Sequence, residues 1–122
     1  MDVVAQFHRF LGESLVTISV IVTILAFLAA QGSSGLGRGA TIAGRILLGL
    51  LDLQWLLGVI NYFGLPAAVR PSLAHPLLMT AVVVGVHVAA ARARKGPGLG
   101  RWGLAGVYAA AAVLIIVGIR LA

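Results

Sequence analysis

The sequence predicts an all-α fold, a four-helix transmembrane bundle of a polytopic membrane protein, and three observations carry that prediction. Hydrophobic residues make up 61% of the 122 residues and charged ones 10%, against roughly 25% charged in an ordinary soluble domain. Four stretches are each long and apolar enough to cross a hydrocarbon core about 30 Å thick, which takes about 20 helical residues. Between them stand clusters of helix breakers: Gly32-Ser33-Ser34-Gly35, the segment from Gly64 to Pro71, and Gly96-Pro97-Gly98. Residues 1–122 therefore read as a single transmembrane domain.

The first helix is expected at about 8–30, since no charge falls between Glu13 and Arg38 and the run from Leu15 to Ala30 is apolar. It is not read as a signal peptide: Asp2 is acidic, no basic n-region precedes it, and the run is long enough to span. The second is expected at about 41–63 and carries Asp52 near its middle. The third, about 73–92, lies in the uncharged interval between Arg70 and Arg92. The fourth, about 102–121, fills the interval between Arg101 and Arg120, and its run Ala109 to Ala112 reads as close helix packing.

Loop charges set the expected orientation. With four spans the first and third loops share a side, and they hold Arg38, Arg45, Arg92, Arg94, Lys95 and Arg101; the other side holds Arg9, Arg70 and Arg120. Basic residues favour the cytoplasmic side, so both termini are expected outside the cell membrane. The net charge of +6 reads as this topology plus lipid headgroups, not as a nucleic-acid surface, because no basic face is interleaved with polar residues. The lipid bilayer is thus the first expected partner. With no cysteine, a disulfide scaffold and thiolate-bound zinc or iron–sulfur clusters are excluded.

Polar residues inside apolar spans are the informative ones, because each is unfavourable by a few kcal/mol unless it faces a partner or a cavity. His8 is expected to open the first helix and His75 the third, on one side of the membrane and at similar depth. Two histidines so placed can ligate a haem iron axially, or can be interfacial residues at helix ends. Gly12 lies one turn below His8, where a missing side chain lets a flat macrocycle approach; Arg9 and Arg70, on the same side, suit haem propionates. His87 follows His75 by twelve residues, roughly 18 Å along the helix and turned by about 120°, so it cannot share that iron. It is read as structural, or as a ligand completed across a dimer.

Glu13 follows Arg9 by four residues, the spacing of an ion pair on one helix face; the functional reading makes it a proton acceptor beside a quinol or haem site. Asp52 is either hydrogen-bonded to a neighbouring helix or a proton-relay group, while Arg45, two turns away, snorkels toward the cytoplasm. Gln54, Gly58 and Asn61 form one stripe of the second helix, either helix–helix glue or a pocket wall. Glu13 and Asp52 are the catalytic candidates.

Three motifs in order resemble one family. His8-Arg9-Phe10-Leu11-Gly12 resembles the HRxxG element, and Gln54-Trp55-Leu56-Leu57-Gly58 the QxxLG element, of the haem A synthase family, and His75 sits where that family has the histidine opening the following helix. The likeness covers roughly residues 5 to 90. It implies a haem-binding four-helix bundle, half the size of the usual two-bundle chain, working as a homodimer or as a single-bundle relative. It implies His8 and His75 as iron ligands, with Arg9, Gly12, Gln54, Gly58 and Arg70 around haem b. The helix order looks shifted, since the family has a helix before the HR helix and this chain has an extra one after. The family also has a glutamate three residues before the histidine; here that residue is Ala5, which tells against oxidoreductase chemistry of the synthase type.

The expected function is therefore a membrane b-type haem protein of the cell membrane, hydroxylating a haem methyl group or passing electrons to a quinone or another electron-transfer partner. The alternatives are a haem-free accessory subunit of a respiratory or other larger membrane complex, and a small proton-linked transporter-like protein using Asp52 and Glu13.

Overall fold

A computed structural model of the chain describes residues 3–32, 36–70, 72–94 and 100–121. Asp2, Ser33, Ser34, Gly35, Pro71, Lys95 and the Gly96-Pro97-Gly98 breaker lie outside the described residues. Four helices follow in order: α1 Val3–Ala30, α2 Leu36–Gly64, α3 Ala74–Arg94 and α4 Gly100–Leu121, with a 3₁₀ turn at Ala67–Val69 before α3. All four are long and apolar enough to cross a membrane. The chain is a multi-pass membrane protein.

Helix existence follows hydropathy, but two starts differ from expectation. α1 begins at Val3 and not near residue 8, and α2 at Leu36 and not at 41. Val3, Val4, Ala5 and Phe7 are themselves apolar and neither added segment holds a proline, so each helix runs on for more than a turn. His8 consequently does not open its helix; it lies in the second turn, about 7 Å along the axis.

The ends have chemical causes. α1 stops where Gly32 adopts φ 83°, the left-handed geometry that closes a helix, with its N–H donating to Ala29 O. α2 stops ahead of Pro66, and Arg70 folds back on that end: its Nε donates to Leu65 O at 3.0 Å and its Nη2 to Phe63 O at 3.4 Å. A cation there also complements the helix dipole. Pro76 sits in the first turn of α3, where its missing N–H is not needed.

The bundle is antiparallel around a ring, α1 against α2 and α4, and α3 against α4 and α2, so α1 and α3 face each other across the diagonal. The core follows a seven-residue pattern: Leu15, Val22 and Ala29 on α1, Leu47 on α2 with Leu51 half a repeat on, Val82 and Ala89 on α3, Tyr108 and Ile115 on α4, all buried. Such spacing gives knobs-into-holes packing, which in lipid acts through van der Waals contact and not through water exclusion. Ala111 and Ala112 are buried as the alanine run suggested, while Ala110 faces outward. Ile21, Ile24, Ile46, Leu77 and Val113 are exposed, as lipid-facing positions should be.

Candidate functional site

The seven-residue pattern leads to the site. Seven residues before Leu15 stands His8, seven after Leu47 stands Gln54, and seven before Val82 stands His75. At one end of the bundle polar side chains thus occupy core positions, and a cavity of about 140 Å³ opens there among all four helices, lined mostly by apolar atoms. The His8 and His75 rings meet across the bundle diagonal, centroids 6.2 Å apart and planes at 82°.

Each imidazole has its own support. His75 Nδ1 donates to Gly118 O at 2.7 Å. Gly118 lies in the last turn of α4, and the bond leaves Nε2 of His75 free of it. Gly118 also makes room for Met79, whose sulfur sits where a Cβ would stand. His8 leans on Gly58: a Cβ there would lie 2.9 Å from His8 Cε1. Below it, Gln54 Nε2 donates to His8 O at 2.7 Å, tying α2 to α1. Gly12 permits that reach, since a Cβ there would lie 2.9 Å from Gln54 Nε2; the space expected for a macrocycle at Gly12 is partly taken by Gln54. His8 Nδ1 and Gln54 Oε1 are buried without a hydrogen-bond partner, two polar atoms turned toward nothing that satisfies them.

The donor set can be weighed against a bis-histidine haem. Imidazoles sharing one metal ion each bind at about 2 Å, which puts collinear ring centroids roughly 6.3 Å apart, close to the 6.2 Å found here. A ligating histidine commonly donates its other nitrogen to a carbonyl, as His75 does. The ligands fit. The cavity is tighter: 140 Å³ is comparable to an apolar cavity that takes benzene, about 150 Å³. A macrocycle therefore needs the seam between α2 and α3 to part. There Trp55 Nε1 donates to Thr80 Oγ1 at 2.9 Å, and Thr80 in turn donates to Pro76 O.

The remaining expected site residues divide. Gly12, Gln54, Gly58 and Asn61 line the cavity, so the stripe on α2 is a pocket wall and, through Gln54, also joins two helices. Arg9 does not line it; it pairs with Glu13 at 3.5 Å, with side chains 77% and 62% exposed. Arg70 caps α2 and lies over the Tyr62 and Phe63 rings. Asp52 is hydrogen-bonded to a neighbouring helix, Oδ1 to His87 Nε2 at 2.7 Å, on the outside of the bundle and away from the cavity.

Sequence reading missed Gly118, Met79, Trp55 and Thr80. The heptad register would have shown His8, Gln54 and His75 to be core positions; the Gly118 carbonyl leaves no trace in residue identity. Among the described residues no group of three or more His, Cys, Asp or Glu side chains is placed to hold a metal ion by itself. Comparison with protein-family models, with curated proteins and with solved structures returns no match.

Proposed function

We propose that this chain is a membrane b-type haem-binding protein in which His8 and His75 would hold the haem iron. The observation that carries the reading is the imidazole pair across the bundle diagonal at 6.2 Å, with His75 Nδ1 already committed to Gly118 O. The likeness of His8-Arg9-Phe10-Leu11-Gly12 and Gln54-Trp55-Leu56-Leu57-Gly58 to haem A synthase elements supports it independently of that geometry. Bound haem supplies one-electron chemistry whose potential follows from axial ligands and burial. The chain's own residues do the rest: Gly118 fixes the tautomer and aim of His75, Gly58 seats His8, Gln54 holds α2 against α1, and the apolar lining keeps water out.

No Asp or Glu stands among the cavity residues, and Ala5 takes the place of the family's glutamate. Electron carriage or haem holding is therefore preferred to methyl hydroxylation. The loop asymmetry of Lys and Arg supports a cell-membrane topology with the Arg38 end in the cytoplasm and His8, His75 and both termini on the outer side.

The test is an optical spectrum of purified protein, oxidised and dithionite-reduced, with and without added haemin. His8→Ala and His75→Ala should each abolish the six-coordinate bis-histidine spectrum, and His87→Ala should leave it intact. A second reading, a haem-free accessory subunit whose histidines serve packing, is favoured by the small cavity volume; it predicts no Soret band in the reconstituted wild type.

A further inference from the structure

We infer that the α2–α3 face carrying Asp52 and His87 is a contact surface for a second copy of this chain. Asp52 lies twelve residues before the end of α2 at Gly64, and His87 thirteen residues after the start of α3 at Ala74, so the two stand about 18 and 20 Å below the same end of the bundle. Both depths fall within a hydrocarbon core about 30 Å thick. They are bonded to each other at 2.7 Å, yet the His87 and Asp52 side chains remain 43% and 51% exposed.

One hydrogen bond does not complete such a pair. A carboxylate accepts at about four lone-pair sites and an imidazole has two nitrogens, and hydrocarbon offers partners to none of the remainder. Among the described residues the exposed pair of Arg9 with Glu13 on α1 includes a long arginine side chain that can reach headgroups. The outer faces of α1 and α4 carry Val20, Ile21, Ile24, Val113 and Ile116, which suit lipid as they are. The α2–α3 face does not.

A second copy is the occupant because the complement is built into the pair. Membrane homodimers related by a two-fold axis along the membrane normal place equal residues at equal depth. An acid and a base side by side on one face then meet a base and an acid on the other, completing a four-membered network. The surface allows close approach: Gly49, one turn from Asp52 on α2, has no atom within 4 Å of a would-be Cβ, and small residues at such seams let helices pack tightly. Leu56 and Phe63, exposed on the same stripe, would flank the contact.

The chain has no cysteine, so Leu56→Cys and Val113→Cys each carry one reporter, on the proposed face and away from it. In phosphatidylcholine nanodiscs or native membranes, a thiol cross-linker should yield a dimer band for Leu56→Cys and not for Val113→Cys. Adding Asp52→Leu and His87→Leu to Leu56→Cys should weaken the dimer by at least about threefold, the effect of an interhelical hydrogen bond of about 0.6 kcal/mol or more. Native mass spectrometry of the unmodified chain in mild detergent should independently show a dimer. Equal cross-linking at both positions, an undiminished dimer without the polar pair, or a monomeric wild type overturns the inference, the last leaving a different subunit as the cover. None of these readings depends on haem.

Discussion

Gly58→Ala tests the seating of His8 most directly. The new methyl carbon would stand 2.9 Å from His8 Cε1 and 3.5 Å from each ring nitrogen, whereas carbon atoms rest at about 3.5–4.0 Å. The ring, or the helix under it, must therefore yield by roughly 0.6–1 Å, and overpacking of that kind is unfavourable by about 1–3 kcal/mol. Against it runs the gain of about 0.5–1 kcal/mol from replacing a helical glycine. Gly106→Ala isolates that gain, because nothing lies within 4 Å of its Cβ position. The two variants should thus differ by about 1–3 kcal/mol in unfolding free energy, Gly106→Ala being the more stable. Helix loss in a dodecyl sulfate titration from mixed micelles measures the difference. The same displacement should draw His8 off the axis it shares with His75 and weaken or abolish bis-histidine coordination in haemin-loaded protein. A Gly58→Ala protein as stable as Gly106→Ala, with its spectrum unchanged, would refute the claim that this glycine seats the imidazole.

Three further outcomes are expected. Asp52→Asn should fold and assemble, since an amide oxygen still accepts from His87 Nε2, whereas Asp52→Leu strands the imidazole at mid-depth; size-exclusion profiles showing the reverse order contradict this account. Leu47→Ala removes a side chain with no exposure at the centre of the core and should destabilise by about 1–3 kcal/mol, below the 2–5 of soluble cores because lipid also solvates leucine; the same titration reads it. A cysteine at Gly32 should be shielded from an impermeant thiol reagent added to intact cells and one at Ala67 labelled, the inverse pattern reversing the proposed orientation.

The sequence alone determined that this is a four-helix membrane protein and where its spans lie, because hydropathy reports the solvent each segment must meet. It also singled out His8, His75, Gln54, Gly58 and Asp52, because polar groups in hydrocarbon must find partners and so stand out from their surroundings. What it could not supply was rotation and neighbour order. Whether Glu13 and Asp52 face inward depends on how each helix is turned in the bundle, and both proved to lie on its outside. That His75 finds its partner on α4, in a backbone carbonyl of Gly118, depends on where that helix ends relative to α3, and a carbonyl is common to every residue type. The meeting of His8 with His75 required α1 and α3 to be diagonal neighbours at matched heights.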